Sequence, residues 1–512
     1  MIGRLIGAQA RYRGARTAIV DGQRTLRFAE LADRSARLAS AFAGSGAQPG
    51  DRILLLSINS IEFIETVGAC AIGGFVSLAL NTRLGLDALV EMVTDADARI
   101  AIVDARLLDT AEALADRGAL PPTVIVFGES SATSRSWLRY DDLLTRAAPA
   151  SIVSHPGHTP LMLTATSGTT GRVKMTVHSH QAVFTGMNTM QAGLAMTPAD
   201  RLLTSLPMFF ATATGGYWLG LFVGAETHLQ SAFQPAEFVN TIGRSAITHS
   251  IVGPSPIYLA VDSGADLAPL RQMKYLGAGG AAFNNERFRE IHDLLGGVIG
   301  TMYSMSEVTV STMLMPADVV DADGAFNDKV GSVGRPQPGT DVIIVDDDGN
   351  EVPGDGRTPG ELIFRAPGLA TRYWSSPDES AMTFVDGGVR SGDIATVDPD
   401  GFIRIVDRKK DLIVSGGINI APAEIEATLH THPGVAHAAV IGIPHATWGE
   451  AIHAVVVRKP GSTVTENELI EFAAARLASV KKPRSLHFVD ALPTNTTGKV
   501  LRRQLRDEYR GQ

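Results

Sequence analysis

A run rich in hydroxyl groups and glycine lies at residues 164–174, Thr-Ala-Thr-Ser-Gly-Thr-Thr-Gly-Arg-Val-Lys, directly after the apolar stretch 160–163. Glycine lets the backbone turn its N–H groups toward an anion, Ser and Thr donate hydroxyl hydrogen bonds, and lysine adds a point charge. The residues that supply these groups are Thr166, Ser167, Gly168, Thr169, Thr170, Gly171 and Lys174. We interpret the run as a phosphate-binding loop. It is not a Walker A loop, because no glycine stands five residues before a Gly-Lys-Ser/Thr, and a plain surface turn is the alternative interpretation.

Five further segments follow this loop along the chain. They are Tyr303-Ser-Met-Ser-Glu307, Arg390-Ser-Gly-Asp393, Asp407-Arg-Lys-Lys-Asp411, the run from Ser415-Gly-Gly-Ile-Asn to Glu426, and Leu492-Pro-Thr-Asn-Thr-Thr-Gly-Lys499. In this order the six closely resemble the core motifs of the adenylate-forming family, which includes acyl- and aryl-CoA synthetases, firefly luciferase and peptide-synthetase adenylation domains. Chance recurrence of all six in one order is negligible. The resemblance spans nearly the whole chain.

The resemblance implies roles for residues that bind ATP. Activating a carboxylate requires two anions to be brought together while the developing charge on the α-phosphate is neutralised. Glu307 is implied as the ligand of the Mg²⁺ that accompanies ATP, since one carboxylate plus phosphates is the usual arrangement for this ion. Tyr303 is implied to stack on adenine, and Asp393 with Arg408 to bind the ribose hydroxyls. The remaining implied nucleotide contacts are Thr166, Ser167, Gly168, Thr169, Thr170, Lys174, Gly279, Gly280, Ala281 and Ser306.

The segment Gly277-Ala-Gly-Gly-Ala-Ala282 also satisfies the Gly-x-Gly-x-x-Gly/Ala dinucleotide fingerprint. No early βαβ context accompanies it, and no acidic residue closes a strand about 20 positions later to bind a ribose. A nicotinamide dehydrogenase is therefore an alternative of a different class. In the adenylate-forming family the same segment lies against the adenine and forms one wall of the acyl pocket.

The C-terminal motifs are implied to serve two successive steps. Lys499 is implied to bridge the substrate carboxylate and the α-phosphate, so that Lys499, Glu307 and Thr166 form the expected catalytic set. Lys410 stands at the family's hinge position, about which the C-terminal domain rotates between the steps. That rotation would withdraw Lys499 and bring Ser415, Gly416 and Gly417 to the CoA channel.

The acyl pocket is expected at Phe209, Phe210, Ala211 and Gly277. Many CoA ligases carry a histidine where this sequence has Phe210, and amino-acid-activating relatives carry an aspartate thereabouts. Because an uncharged phenylalanine cannot pair with a substrate ammonium, an amino acid is not expected as substrate. Two other departures, Met175 and Ser304 in place of glycines, affect the geometry of loops.

Together these features predict an acid–CoA ligase that forms an acyl-adenylate and then a thioester from a hydrophobic acid, aromatic or medium-chain. The alternative acceptor is the phosphopantetheine of a carrier protein. The expected partners are ATP, Mg²⁺, CoA and a small carboxylic acid, with a homodimer left open.

Composition excludes several other classes of protein. The net charge of −9 provides no basic field for nucleic acid. The single cysteine, Cys70, excludes an internal disulfide and a cysteine metal cluster. The apolar stretch Thr66–Leu80, about 15 residues, is shorter than the roughly 20 that a membrane span needs, and is read as a buried helix running into a strand. His178, His180, His430 and His432 are read as structural. A reducing cytoplasm is the expected location.

The pattern of elements predicts an α/β fold. Strand-like runs at Arg52–Leu56, Ile100–Val103, Thr123–Phe127, Leu202–Leu206 and Ile247–Val252 alternate with helical patterns at Phe28–Ala43 and Pro235–Gly243, which favours largely parallel sheets. A small β-rich unit begins near Val330. In the last hundred residues we expect strands Ala436–Ile443 and Ile452–Arg458 and helices Pro422–His430 and Thr465–Val480. The predicted domains are 1–408, a large domain of several subdomains, and 409–512, a small mobile α/β domain.

Overall fold

The computed structural model describes residues 1–129, 135–166, 173–309, 312–367, 369–385, 387–416, 418–445, 447–494 and 500–510. The chain forms two compact units. The N-terminal unit comprises Met1–Val342 and Phe364–Arg390, and the C-terminal unit comprises Ile343–Ile363 and Ser391–Gln512. None of the helices in the described ranges combines the length and the apolar character that crossing a membrane demands.

The helices follow from apolar periodicity together with local capping. The third, for example, begins after Ser60, whose hydroxyl oxygen accepts a hydrogen bond from the amide of Phe63 at 3.2 Å. In chain order the helices are α1 Ile2–Arg13, α2 Phe28–Gly44, α3 Ile61–Gly73, α4 Leu86–Ala96, α5 Leu108–Asp116, α6 Tyr140–Arg146, α7 His180–Leu194, α8 Ala211–Val223, α9 Pro235–Arg244, α10 Pro254–Val261, α11 Ala268–Arg271, α12 Asn285–Leu295, α13 Pro377–Thr383, α14 Pro422–His430, α15 Glu466–Ala474 and α16 Arg502–Tyr509.

The strands are short and mostly buried. In chain order they are β1 Thr17–Asp21, β2 Arg24–Arg27, β3 Arg52–Leu56, β4 Val76–Ala79, β5 Ala98–Asp104, β6 Thr123–Phe127, β7 Leu138–Arg139, β8 Pro160–Thr166, β9 Lys174–Ser179, β10 Arg201–Thr204, β11 Glu226–Leu229, β12 His249–Val252, β13 Tyr275–Gly279, β14 Ile299–Tyr303, β15 Thr312–Leu314, β16 Arg335–Pro336, β17 Asp341–Val345, β18 Gly360–Arg365, β19 Tyr373–Trp374, β20 Phe384–Val385, β21 Gly388–Val397, β22 Ile403–Arg408, β23 Ile413–Ser415, β24 Ile418–Ile420, β25 Val435–His445, β26 Gly449–Arg458 and β27 Ser485–Phe488.

Two large sheets organise the N-terminal unit. One has nine strands in the order β16-β15-β14-β13-β12-β10-β11-β1-β2, and the other has eight in the order β19-β9-β8-β4-β3-β5-β6-β7. The central pairings in both are parallel, while the edges next to the loop 164–174 and the segment after β14 are antiparallel. One core joins α2, α3 and α8 to strands of both sheets. The predicted α/β fold with parallel-rich sheets is therefore confirmed.

The C-terminal unit contains a smaller sheet of the order β24-β23-β26-β25, to which β27 adds beside β26. Residues of α14 and α15 pack on one face of this sheet, and Leu505 and Tyr509 of α16 pack on the other. Strands β17, β18, β21 and β22 form the expected small β-rich region. The predicted boundary at 408/409 differs from the limits of the compact units. The predicted boundary marks where a mobile C-terminal domain would begin, and it stays a prediction.

One predicted element is wrong in length. The sequence predicts a helix over Thr465–Val480, but α15 ends at Ala474 and a separate 3₁₀ turn forms at Ser479–Lys481. The amide of Leu477 still donates to the carbonyl of Ala473 at 2.9 Å, so one helical hydrogen bond forms beyond the end of the regular helix. The stretch Thr66–Leu80 divides as predicted into the end of α3 and β4.

Candidate functional site

The predicted phosphate loop connects two paired strands. Strands β8 and β9 are antiparallel neighbours, and their last pair before the loop is Thr166 with Lys174. Both residues are half-buried. The loop is thus held at its base by a sheet ladder that continues through β4 into the parallel sheet. The predicted contacts Ser167, Gly168, Thr169 and Thr170 lie outside the described residues.

Lys174 belongs to a small cluster at this end of the sheet. Its ammonium lies 3.6 Å from Oε1 of Glu379 and 5.2 Å from the centre of the Tyr373 ring. The hydroxyl of Tyr373 donates a hydrogen bond of 2.6 Å to Oε1 of Glu307. The structure therefore links the predicted phosphate-binding lysine and the predicted magnesium ligand through one tyrosine.

Glu307 is buried, with 9% of its surface exposed, and so is Tyr373. Burial, followed by the charge of Glu307, raises the pKa of Tyr373 above its ordinary value, so the phenol stays protonated and acts as the donor. A hydrogen bond from a neutral donor orients a carboxylate and places no positive charge beside it. That is the property required of a group that binds a divalent cation.

His178 fixes the segment around Glu307 to the same strand that carries Lys174. Its Nε2 lies 2.9 Å from the carbonyl oxygen of Ser306, which can only accept, so Nε2 carries the proton. Burial lowers the pKa of His178 to about 4, and the ring is neutral at physiological pH. His178, read as structural from the sequence, thus positions the 303–307 motif.

Tyr303 ends β14 and is half-buried. Its ring stacks on the buried Phe364 with centroids 5.9 Å apart and planes inclined by 17°. Phe364 therefore supports one face of the ring. This geometry is compatible with the predicted stacking of adenine on Tyr303.

The glycine-rich segment forms the end of β13, parallel to β14. A Cβ on Gly277 would lie 2.6 Å from Cε1 of Tyr275 and 3.3 Å from Cγ1 of Ile251, so no larger residue fits without rearrangement. Gly279 is buried at the end of the strand, whereas Gly280 and Ala281 are exposed immediately after it. The exposed backbone follows a parallel strand at its carboxyl end, where open α/β sheets bind ligands.

The two phenylalanines of the predicted acyl pocket differ in their environments. Phe209 is buried and lines a small cavity together with Phe63 and Tyr217, while Phe210 is half-buried at the N-cap of α8, next to Ala211. Their rings meet edge to face at 4.5 Å. The turn that carries them is held by Asn59, which was not singled out from the sequence.

Asn59 makes three hydrogen bonds. Its Oδ1 accepts from the amide of Met208 at 2.8 Å, and its Nδ2 donates to the carbonyls of Leu206 and Gln230, each at 2.9 Å. Asn59 is itself buried. It thereby ties the turn before α8 to the segments that follow β3 and β11. Asn59 and Met208 are 149 residues apart, so the sequence offers no local signal for this contact.

In the C-terminal unit the predicted ribose pair is brought together. Asp393 of β21 and Arg408 at the end of β22 are cross-strand partners, with Nε 3.4 Å from Oδ1. The neighbouring Asp407 accepts a hydrogen bond from the amide of Ala423 at 2.9 Å, which joins β22 to the start of α14.

The predicted hinge residue Lys410 lies in the 3₁₀ turn Lys409–Asp411. Burial, and then the positive charge of Arg408, lowers the pKa of Lys410 to about 8. Arg506 of α16 bonds to Asp411 at 2.5 Å and reaches the carbonyl of Lys410 at 3.5 Å. Arg502 of the same helix lies 3.8 Å from Asp411.

Arg502 also binds both carboxylate oxygens of Glu426 in α14, each at 2.7 Å. Hinge turn, α14 and α16 are thus joined by one set of ion pairs, the hinge clamp, made of Arg502, Arg506, Asp411 and Glu426. Lys499 lies outside the described residues. The chain on either side of it is fixed by a bridge between Thr494 and Val500 just before α16.

The predicted CoA-channel motif forms a hairpin. Ser415 is buried in β23 and pairs with Ile418 of β24, and Gly417 lies outside the described residues. Gly416 adopts φ +60°, a conformation that favours glycine, and its amide donates to the carbonyl of Trp448 at 2.8 Å. The guanidinium of Arg484 lies 4.2 Å above the Trp448 ring.

Comparisons with known proteins agree with this arrangement. The model of the AMP-binding enzyme family matches residues 6–374, and that of the AMP-binding enzyme C-terminal domain matches residues 424–499. Feruloyl-CoA synthase of Amycolatopsis sp is 33% identical over 505 residues, covering 96% of each chain. Fatty acid–[acyl-carrier-protein] ligase ScoC of Streptomyces coeruleorubidus is 32% identical over 505 residues, covering 96% of this chain and 93% of that one. The crystal structure of ATP-bound MatB from Rhodopseudomonas palustris has a TM-score of 0.88 at 28% identity, covering 99% of each chain.

Proposed function

Because the chain belongs to the AMP-binding enzyme family, we propose that it is an ATP-dependent carboxylic acid–CoA ligase that forms an acyl-adenylate and then a thioester. The class predicted from the six motifs is confirmed. The observation that carries the proposal is the cluster in which Tyr373 joins Lys174, at the base of the phosphate loop, to the buried carboxylate of Glu307. The dehydrogenase alternative is set aside, since the segment 277–282 lies within the matched AMP-binding region.

In the first half-reaction a carboxylate oxygen of the acid attacks the α-phosphorus of ATP. The acyl–O–P bond forms, the bond to the β-phosphate breaks, and pyrophosphate leaves. Lys174 binds phosphate oxygens as a point charge, Tyr303 holds the adenine, and Asp393 with Arg408 binds the ribose. Lys499 neutralises the carboxylate and α-phosphate as they approach each other.

The residues fit Mg²⁺. Glu307 supplies a buried, hard oxygen ligand whose charge is not cancelled by a cationic partner in the hydrogen bond from Tyr373. Bound there with ATP, the ion would neutralise phosphate charge. Among the described residues no group of three or more His, Cys, Asp or Glu side chains could hold a metal ion.

In the second half-reaction the CoA sulfur attacks the acyl carbonyl, the thioester bond forms, and AMP leaves with the electrons of the broken C–O bond. The hairpin around Ser415 and Gly416 is proposed to line the pantetheine path after rotation about Lys410. The cytoplasmic location and the homodimer stay predictions.

The acid is proposed to be hydrophobic. Phe210 and Ala211 present no charge at the N-terminus of α8, and the relatives include enzymes named for feruloyl and fatty acids. The similarity to a carrier-protein ligase supports the alternative acceptor, the phosphopantetheine of a carrier protein, more weakly than the CoA ligases support free CoA.

The test is pyrophosphate release with a panel of aromatic acids and fatty acids of six to sixteen carbons, with and without CoA. We expect acid-dependent release that rises with CoA and saturates, with acyl-CoA identified by mass spectrometry. Glu307→Gln provides the inactive control. If turnover occurred only with a phosphopantetheinylated carrier protein, that protein would replace CoA as the acceptor. If no acid caused pyrophosphate release, the proposed ligase activity would be refuted.

A further inference from the structure

Tyr373 is held at a fixed place beside the phosphate loop. It belongs to β19, the edge strand that pairs with β9, where Tyr373 lies opposite Thr176 and Trp374 opposite Met175. Trp374 anchors this strand, because its indole N–H donates to the carbonyl of Asp95 at 2.9 Å. The short strand therefore presents the tyrosine ring from a rigid backbone.

Tyr373 contacts two predicted site residues, one through its hydroxyl and one through the face of its ring. The hydroxyl donates to Oε1 of Glu307 at 2.6 Å, and the ammonium of Lys174 lies 5.2 Å from the ring centre. Glu307 and Lys174 are the two residues to which the proposed function assigns the cation and the phosphates. Tyr373 itself is 6% exposed, which leaves it little surface with which to bind substrate directly.

A phenol is a suitable partner for a carboxylate that must bind a metal ion. Its hydrogen bond fixes the direction of the carboxylate and occupies one oxygen, but it brings no positive charge that would compete with a cation. A lysine or arginine in the same place would neutralise the carboxylate. The aromatic face, in turn, attracts the Lys174 ammonium without binding it tightly.

We propose that Tyr373 is a positioning residue for the adenylation step, which holds Glu307 with Oε2 left to bind the Mg²⁺ of MgATP and steadies Lys174 at the phosphate loop. The proposal rests on the proposed ligase function. It assigns a task to a residue outside the six motifs, one separated from Glu307 by 66 positions in the sequence.

The decisive variant is Tyr373→Phe, which keeps the ring and removes only the hydroxyl. Binding of Mn²⁺ in the presence of α,β-methylene-ATP, followed by electron paramagnetic resonance, should weaken by about 10-fold, in line with losing a hydrogen bond to a charged group. The rate of adenylation at saturating metal should fall by a similar factor, while the KM for the acid stays unchanged. Tyr373→His, which keeps a ring N–H, should bind Mn²⁺ with intermediate affinity.

The chain offers a matched control. Tyr140 donates a buried hydrogen bond of 2.7 Å to Glu65 in the same unit, a tyrosine–glutamate pair whose carboxylate also binds Arg34 and is assigned no metal ion. Tyr140→Phe should lower the melting temperature and leave Mn²⁺ affinity unchanged. In a Glu307→Gln background, Tyr373→Phe should produce no further change in Mn²⁺ affinity.

Wild-type Mn²⁺ affinity in Tyr373→Phe, or an equal loss in Tyr140→Phe, would overturn the proposal. If Tyr373→Phe does not fold, the Mn²⁺ affinity of Tyr373→His is the deciding measurement. A Mn²⁺ affinity equal to that of Tyr373→Leu would overturn the proposal. Failure of the proposed function would be distinguishable, because the wild type would then release no pyrophosphate in response to any acid, whatever its affinity for Mn²⁺.

Discussion

The two regions that carry candidate site residues are held together by different interactions. In the N-terminal unit, Glu307 and Ser306 are held by a phenol and a neutral imidazole, and Lys174 lies beside an aromatic ring and the carboxylate of Glu379. In the C-terminal unit, the hinge clamp consists of ion pairs among Arg502, Arg506, Asp411 and Glu426.

The difference fits two requirements: an adenylation site that stays in place and a hinge that can move. Buried hydrogen bonds from neutral donors have little water to exchange with, and they keep a catalytic carboxylate at one position. Within the clamp, Arg506 is 28% exposed and can exchange its ion pair for water at lower cost than Arg502 and Glu426, which are 16% and 15% exposed. Rearrangement is therefore easiest at the contacts that Arg506 makes with the hinge turn. We infer that the first region provides a fixed adenylation site and that the second can rearrange around Lys410.

The largest expected effect separates the half-reactions. Lys499→Ala should reduce adenylate formation by about 10³-fold or more, because a charge that acts only on the first transition state is removed. Conversion of supplied acyl-adenylate and CoA to thioester should stay near the wild-type rate, measured in single turnover. Equal loss of both half-reactions would contradict the division of labour between the regions.

Acid pH should weaken the N-terminal unit more than the C-terminal unit. Burial lowers the pKa of His178 to about 4 and of His180 to about 3, whereas in the C-terminal unit it lowers that of His453 to about 4. The unfolded chain binds protons near pH 6.5 and the folded chain does not, so stability falls as pH drops from 6.5 toward 4. For the fully buried His178, this lowers the free energy of unfolding at pH 5 by on the order of 2 kcal/mol.

Hydrogen exchange at pH 7 and pH 5, resolved by peptide, measures this difference between the units. Buried carboxyls whose pKa is raised act in the opposite direction, and they occur in both units, Asp21 and Glu65 in one, Asp407 and Glu426 in the other. Protection in the N-terminal unit should therefore decline first. If protection from exchange were lost first in the C-terminal unit, the neutral histidines would not determine the acid stability of the N-terminal unit.

The hinge can be tested by stiffening one residue. Lys410→Pro fixes φ near roughly −65° and removes a dihedral that a rotation must use. Thioester formation should slow by tens-fold while adenylation is spared, and Lys410→Ala, which keeps the backbone free, should stay close to wild type in both. A wild-type rate of thioester formation in Lys410→Pro would place the pivot elsewhere.

The smallest expected effect concerns the acid. Phe210→Ala opens space at the N-terminus of α8, and each methylene newly buried there contributes about 0.8 kcal/mol. The preference in kcat/KM should shift by roughly 10-fold toward larger acids with the KM for ATP unchanged. Phe209→Ala is the comparison. Phe209 is buried and is also predicted to line the acyl pocket, so its loss should reduce stability and shift the preferred acid less than Phe210→Ala does. An unaltered acid profile in Phe210→Ala would remove the main support for a hydrophobic acid.

The sequence predicted most of the fold where patterns are local. Strand Thr123–Phe127 and helix Pro422–His430 form at the predicted residues, because apolar runs and a proline at the first helical position specify them. The helix that ends at Ala474 was predicted to reach Val480. The prediction was too long because the apolar spacing in the sequence continues beyond the last helical turn.

The motifs named candidate site residues, whose roles stay predictions, but the contacts that support those residues could not be predicted. Asp393 and Arg408 meet as the motifs imply. Tyr373, Asn59 and the role of His178 depend on contacts between segments far apart in the chain, for which neither spacing nor composition gives a signal. Such contacts are determined by sheet pairing, which becomes visible only in the folded chain.

The most direct test of the central claim is the fate of oxygen from the acid. With a carboxylic acid labelled with ¹⁸O in both oxygens, attack on the α-phosphorus predicts one ¹⁸O in each AMP and none in pyrophosphate after turnover with CoA. Mass spectrometry of the products measures both. Label in a phosphate product other than AMP, or AMP free of ¹⁸O, would contradict an acyl-adenylate intermediate.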